Sequence, residues 1–145
     1  MVIAAKGVVM AKGGWSMPLT AFIPQVENEF VQLRNRIVAE ALQGLHFHSP
    51  VDQGTYRHNH RVSIGDRDMT FEMVVGSSSP QGTVDQEAYD REIRKLLTEN
   101  APFTIVYLQN NSPHGIPLED GHSDQAGKGV YRVVASLIRS KYGGG

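Results

Sequence analysis

The longest regular pattern of apolar residues lies between Pro24 and Leu45. Apolar residues recur there at steps of three and four, the spacing that places them on one side of an α-helix. Pro24 suits the first helical position, because the N–H that it lacks would have no partner there. The pattern therefore predicts a long first helix over residues 24–45. Its apolar residues form two stripes, which are Val26, Phe30, Leu33, Ile37 and Ala41, and Val31, Val38, Leu42 and Leu45.

The two stripes together are wider than the face that one packing partner covers. One explanation is that the chain's own sheet covers the helix on two sides. The other is that one stripe packs in the core while the stripe with Val31, Val38 and Leu42 contacts a neighbouring copy of the chain. Both explanations stay open from the sequence.

Segments rich in β-branched and aromatic residues follow the first helix. Residues 61–64 and 70–75 flank a polar turn at 65–68, and this arrangement predicts a β-hairpin. A short turn over residues 55–59 precedes the hairpin, and the composition of residues 103–108 predicts a central strand. We therefore expect an antiparallel sheet packed against the first helix.

Two later segments have helical periodicity. Thr83 and Gln86 have the spacing of a capping box, which predicts a surface helix that ends before Pro102. Its apolar side carries Tyr89, Ile93, Leu96 and Leu97, and its opposite face, expected to be solvated, carries Glu87, Asp90, Arg91, Glu92, Arg94 and Lys95. Residues 126–142 predict a C-terminal helix, although the β-branched residues within 129–138 leave a strand there as an alternative.

These elements predict one α+β domain over residues 1–145: a long N-terminal helix packed on an antiparallel β-sheet, with one surface helix and a C-terminal helix. Residues 20–142 form its core, and residues 143–145 a frayed tail. Residues 1–19 show no sustained periodicity and are expected to be an N-terminal arm or edge strand. Trp15 within this arm either fills a local gap or anchors the arm on a neighbouring subunit.

Charge and composition exclude several classes of function. The chain has 14 Lys and Arg residues against 15 Asp and Glu residues, so it has no positive surplus with which to neutralise nucleic-acid phosphates. It has no cysteine, which excludes disulfides, zinc thiolate sites and cysteine nucleophiles. No apolar run reaches the roughly 18 residues that cross a bilayer, and residues 1–5 lack a signal-peptide cleavage site. We expect a soluble protein made in the cytoplasm, with no membrane partner.

Histidine pairs are the strongest enzymatic signal in the sequence. His46 and His48, and likewise His58 and His60, are separated by one residue, a spacing that places both rings on one side of an extended segment. These four histidines are the candidate ligands of a metal-dependent hydrolase. Alternatively, they are surface or interface histidines whose charge changes between about pH 5 and 8. Ser49 lacks the sequence of a nucleophile elbow.

Two motifs resemble those of a known protein family. The first is Ser49-Pro50-Val51-Asp52-x-Gly54, directly after the long helix. The second follows a strand at residues 105–107 and comprises Asn110, Asn111, Pro113, Glu119, Gly121, His122, Ser123, Gln125 and Ala126, then Gly129, Val130, Arg132 and Val133. In this order, the chain resembles the head-to-tail joining proteins of long-tailed phages, also called neck or tail-completion proteins. The resemblance covers about residues 24–138. It departs from the family's pattern at His114, Gly115 and Gly127.

The resemblance implies a structural virion protein with no catalytic residue and no cofactor. Such proteins are expected to form a homo-oligomeric ring, with a hexamer favoured, between the head-side adaptor or portal and the tail terminator or tail tube. Genomic DNA would pass through the lumen without specific binding. A tail-terminator or adaptor ring at a neighbouring level of the neck is one alternative, and the histidine-ligated hydrolase is the other.

Residues 110–129 are expected to form a docking loop at a subunit or partner interface, held by the sheet at one end and by a helix at the other. The expected interface residues are Trp15, Val31, Val38, Leu42, Asn110, Asn111, Pro113, His114, Glu119, His122 and Gln125.

Overall fold

The fold is described by a computed structural model for residues 10–11, 14–15, 18–51, 54–74, 80–99, 101–113, 119, 121 and 127–143. In chain order, its elements are β1 (Met10–Ala11), β2 (Gly14–Trp15), α1 (Leu19–His48), α2 (Thr55–His58), β3 (His60–Ile64), α3 (Gln86–Leu97), β4 (Val106–Asn110) and α4 (Tyr131–Tyr142). The predicted α+β class is confirmed, with a long N-terminal helix, an antiparallel sheet and a C-terminal helix.

Helix α1 is longer than predicted. It begins five residues before Pro24 and continues through Gly44 to His48, so neither residue marks an end of the helix. Gly44 instead lies against α4, because a Cβ at this position would be 3.4 Å from the methyl groups of Val134. At about 1.5 Å per residue the 30-residue helix is roughly 45 Å long. Its buried residues begin only at Val31, so its first turns extend beyond the core.

The main sheet in the described part of the chain consists of β3 and β4, which pair antiparallel with Val62 opposite Leu108. The strand predicted at 103–108 begins three residues later than expected, and Phe103 lies in the preceding turn with a φ of 62°. The hairpin prediction was wrong for the described residues 70–74, which form no strand; Val75 lies outside the described residues.

Side chains of α3 occupy the edge of β3 that a hairpin partner would need. The Glu92 carboxylate accepts the Val62 N–H at 2.8 Å, and Lys95 Nζ donates to the Val62 carbonyl at 3.2 Å. Glu92 was predicted to lie on a solvated face, but it is completely buried. The physical reason is that its carboxylate accepts a hydrogen bond from the edge of β3, where the backbone N–H would otherwise be buried without a partner.

Two apolar clusters share α1. One joins Ala41 and Leu45 to α4 through Val130 and Val134, and the other joins α1 to the sheet and α3 through Val38, Leu42, Val62 and Leu96. Leu97, predicted to pack in the core, is instead among the most exposed apolar residues. The chain itself therefore covers α1 on two sides, but with α4 on one side and with the sheet and α3 on the other, and not with the sheet alone.

The helix ends differ from the predictions in detail. The side chain that caps α3 is Asp85, which accepts the Ala88 N–H, and not Thr83. Residues 131–138 are helical, so the strand alternative there was wrong. Strands β1 and β2 pair only with each other in the described residues.

Candidate functional site

The two motifs that carry the family resemblance meet in the structure at the His60 ring. Ser49 Oγ lies 2.6 Å from His60 Nε2, and the Tyr131 hydroxyl lies 2.9 Å from Nδ1. Asn110 Nδ2 lies 3.3 Å from Nδ1 and also donates to the Tyr56 carbonyl at 2.7 Å. A residue from each motif and a residue from α4 thus converge on one histidine. Sequence reasoning missed Tyr56 and Tyr131, which carry no motif signal.

The hydrogen-bond partners assign the tautomer of His60. Ser49 donates its single hydroxyl hydrogen to the Leu45 carbonyl at 2.5 Å, so its oxygen must accept from His60 Nε2–H. Nδ1 is then free to accept from the Tyr131 hydroxyl. Burial lowers the pKa of His60 well below its ordinary value, which favours this neutral ring.

In this tautomer His60 does not serve as a general base for Ser49. A histidine that activates a serine must present an unprotonated nitrogen to it, whereas His60 presents N–H. Ser49 and His60 are each 0 % exposed, so a substrate has no access to them. The pair is a structural tie that joins the end of α1 to β3.

The Asn-Asn turn after β4 also binds the chain to itself. Asn110 Oδ1 accepts the Ser112 N–H at 3.0 Å, in addition to the contacts of its amide group. Asn111 Nδ2 donates to the carbonyls of Asp68 and Thr70 at 2.8 and 2.9 Å. The polar groups predicted to face a partner are therefore largely occupied inside the chain.

Glu119 holds the beginning of α4. Its carboxylate accepts the backbone N–H groups of Val130, Tyr131 and Arg132 at 2.7, 2.5 and 3.1 Å. These are N–H groups that a helix cannot satisfy by itself, and a negative charge suits the positive end of the helix dipole. Gly129 makes room for it: φ is 83°, and a Cβ there would lie 2.8 Å from Glu119 Oε2.

The four histidines of the metal hypothesis do not converge. His46 and His60 have ring centroids 5.4 Å apart, but His58 binds Asp85 at 2.9 Å and Glu72 at 3.2 Å, and His48 packs against Phe47. Within the described parts of the chain, no three His, Asp or Glu side chains form a group that could hold a metal ion. The proposed ligand set is therefore not assembled.

His46 is a buried neutral base. Its Nδ1 accepts the Asp85 N–H at 3.2 Å, and its side chain is fully enclosed. Its pKa is lowered to about 4, mainly by burial and to a smaller extent by nearby cations such as Arg57, although the Asp85 carboxylate partly opposes the shift. It therefore stays uncharged at neutral pH.

Several predicted interface residues have a different role in the structure. Val31, Val38 and Leu42 are buried within the chain, and the last two belong to the core cluster with Val62, so these side chains have little surface left for a neighbouring copy. Pro113 is exposed, as a contact residue would be. The side chain of Trp15 and the residues His114, His122 and Gln125 lie outside the described residues.

Among the described residues, large apolar side chains are exposed in groups at three places, and Phe47 and Leu137 are exposed elsewhere. The groups lie on the first turns of α1 (Leu19, Ile23), around the α3–β4 connection (Leu97, Phe103, Ile105) and along residues 69–73 (Met69, Phe71, Met73). Phe103 also stacks on Phe30 of α1 at 4.9 Å between centroids. Sequence reasoning assigned the 69–73 residues to a hairpin and did not find this surface.

Among the described residues, no helix has both the length and the apolar character needed to cross a membrane. In comparisons with known proteins, the chain matched no family model, no curated protein and no solved structure.

Proposed function

We propose that the chain is a structural protein of a phage neck, which forms a homo-oligomeric ring between the head connector and the tail and lets DNA pass. The favoured assembly is a hexamer in the virion. Its partners are the head-side adaptor or portal on one face and the tail terminator or tail tube on the other. The chain is not expected to be an enzyme and needs no cofactor.

The observation that carries this proposal is the meeting of the two family motifs. Ser49 of the first motif and Asn110 of the second lie within hydrogen-bond distance of the same histidine, although 61 positions separate them in the chain. Glu119, also of the second motif, holds α4 in place. The motif residues therefore shape the fold of the chain. This supports a likeness to the family in architecture.

The exposed apolar residues support a ring subunit. A closed ring needs two different, complementary surfaces on each subunit, because its interfaces are head to tail. Here the beginning of α1 and the α3–β4 connection each expose large apolar side chains, including Leu97 and Phe103 at 70 % and 67 %. Exposed apolar groups of this kind mark contact sites in soluble proteins.

The charge balance agrees with a DNA conduit. A ring through which DNA moves should not hold the phosphates, and a chain with 14 basic and 15 acidic residues has no surplus to do so. The hydrolase alternative has less support, because Ser49 is inaccessible and the four histidines are dispersed.

Native mass spectrometry and negative-stain microscopy of the untagged full chain test the proposal. The expected result is one closed oligomer with a central opening. Leu97→Glu should abolish it, whereas Leu137→Glu, a matched substitution of an exposed leucine on α4, should leave it intact. A chain that stays monomeric at about 100 μM and does not bind purified heads or tails of its phage would contradict the proposal. Microscopy of the bound particles would distinguish the neck level from that of the adaptor or terminator.

A further inference from the structure

Residues 68–74, here called the outer segment, lie beside the β3–β4 sheet, in hydrogen-bond contact with Ser63 of β3 and with Asn59 and Asn111. They are held there by side chains and not by a strand ladder. Asp68 N–H donates to Ser63 Oγ, Asn59 binds both backbone groups of Glu72, and Thr55 Oγ1 donates to the Val74 carbonyl. Asn111 binds the carbonyls of Asp68 and Thr70.

Every backbone group held in this way belongs to an even-numbered residue. In an extended chain, the N–H and C=O of neighbouring residues point to opposite edges. The backbone groups of Met69, Phe71 and Met73 therefore point away from the sheet, and they make no hydrogen bond with the described residues. Their side chains are 69 %, 37 % and 66 % exposed. The outer segment is not a strand in the single chain, but it thus presents an unpaired backbone edge beside exposed apolar side chains.

The sequence of this edge reads the same in both directions, because Met69-x-Phe71-x-Met73 is a palindrome. We propose that the outer segments of two copies of the chain pair antiparallel about a twofold axis at Phe71. In this register Phe71 faces Phe71 of the second copy, and Met69 faces Met73. Each pair exchanges both N–H···O bonds, which satisfies all the outward backbone groups of the three residues. The two apolar sets then cover each other on one face of the new ribbon.

Charges also fit this register. On the ribbon's other face, Glu72 lies opposite Thr70 of the second copy, and Asp68 lies opposite Val74. No two acidic side chains are directly opposed, an arrangement that would be destabilising. Glu72 is in addition already paired with His58 at 3.2 Å and with Arg91 at 3.6 Å within its own chain.

A second copy fits this edge better than a foreign peptide does. A foreign strand would need its own matching sequence, whereas the palindrome makes the edge complementary to itself, as a twofold interface requires. A ribbon of two short strands buries less than the roughly 1,200 Å² typical of stable complexes, so the dimer is expected to be weak and concentration-dependent. The pairing does not depend on the phage-neck proposal, because a head-to-tail ring would not bring Phe71 next to itself.

Single-cysteine variants of the full chain test the register, since the chain has no cysteine of its own. Phe71→Cys should form a disulfide-linked dimer under glutathione oxidation, because directly paired Cα atoms lie about 5.5 Å apart, within the range of disulfides. Met69→Cys or Met73→Cys alone should cross-link at least about tenfold less, because the identical positions are offset by four residues, about 14 Å at 3.4 Å per residue. A mixture of these two variants should cross-link efficiently. Equal cross-linking of all three single variants, or none with Phe71→Cys, would overturn the proposal.

A charge exchange provides an independent readout by sedimentation equilibrium. Phe71→Lys and Phe71→Glu should each weaken the dimer at least about tenfold, because like charges would meet at the twofold axis. An equimolar mixture of the two should restore it as a heterodimer. Circular dichroism must show that both variants remain folded, as expected for an exposed position. A dimer that survives both substitutions, or a mixture that stays monomeric, would count against pairing at Phe71.

Discussion

Asn59 uses its side-chain amide in place of a β-strand partner for Glu72: Nδ2 donates to the Glu72 carbonyl at 2.7 Å, and Oδ1 accepts the Glu72 N–H at 2.8 Å. Asn59 is completely buried, and its Oδ1 also accepts from Arg61 at 3.1 Å. Asn59 thus fixes the middle of residues 68–74, together with Ser63, Thr55 and Asn111 at other positions, and orders the edge proposed to pair with a second copy.

Replacing Asn59 by alanine should release the outer segment. We expect a loss of roughly 2 kcal/mol in the free energy of unfolding, because buried hydrogen bonds are lost and Arg61 loses an acceptor. Hydrogen exchange at the Glu72 amide should become at least about tenfold faster. Thr70→Ala is the control, since its exposed hydroxyl binds Asp68 and no other residue in the described part of the chain. Unchanged exchange at Glu72 in Asn59→Ala would show that the segment is held by other contacts.

Acid should destabilise the protein through His46 before the carboxylates titrate. The pKa of His46 is about 4 in the folded chain and 6.5 ordinarily, so between these pH values His46 is protonated in the unfolded chain and neutral in the folded chain. The free energy of unfolding therefore keeps the full contribution of the neutral His46 above about pH 6.5, and this contribution decreases as the pH falls towards 4. At pH 5 this histidine alone should cost roughly 2 kcal/mol relative to pH 7.5. The lowered pKa of His60 acts in the same direction.

Urea denaturation at several pH values measures this effect. In His46→Gln, the decrease in stability between pH 7.5 and 5 should be smaller than in the wild type by about 2 kcal/mol, whatever the variant costs at pH 7.5. Parallel pH profiles of the two proteins would contradict the assigned role of His46.

Glu92 should be among the most sensitive polar residues. Burial acts to raise the pKa of its carboxyl, but hydrogen bonds from Lys95, Arg91 and the Val62 N–H outweigh it and keep the pKa below its ordinary value. The group is thus charged at neutral pH. Glu92→Gln keeps the shape but leaves its cationic partners without a buried counter-charge, and we expect a loss of about 3 kcal/mol.

Chemical denaturation at neutral pH tests this expectation against Glu87→Gln, which alters an exposed residue in the first turn of the same helix. The control should change stability by less than about 0.5 kcal/mol. Equal effects of the two substitutions would show that Glu92 does not serve as the edge partner of β3.

Removing the carboxylate of Glu119 should loosen the beginning of α4. Glu119→Ala leaves three backbone N–H groups without their acceptor, and we expect a loss of about 1–2 kcal/mol. Amide exchange should accelerate at residues 130–132 and much less at 136–140. Glu119→Gln should recover part of the protection through its remaining acceptor oxygen. Uniform acceleration along the helix would instead indicate global destabilisation.

Local pattern was a good guide wherever neighbouring residues decide the structure. The stripes at steps of three and four predicted α1, and the β-branched segments predicted β3 and, shifted by three residues at its start, β4. Helical spacing also predicted α4. Local pattern could not predict that α1 continues through Pro24 and Gly44. Each is kept helical by the helix on both sides of it, and Gly44 also packs against Val134.

The histidine pairs show where local spacing misleads. His46 and His48 lie in a continuous helix, where residues two apart point about 200° away from each other. His58 ends α2 and His60 begins β3, so their rings face different neighbours. The two rings of each pair therefore do not lie on one side, because neither pair forms an extended segment.

By itself, the sequence determined the order and type of the main elements, because helical and strand periodicities depend on residues close together in the chain. Only the tertiary structure decided which edges and polar groups are occupied. Glu92 lies where a strand would pair, Asn59 holds the outer segment, and Ser49 and Asn110 meet at His60. These contacts join residues 11 to 50 positions apart, and each gives a backbone or ring nitrogen a partner that the local sequence does not supply.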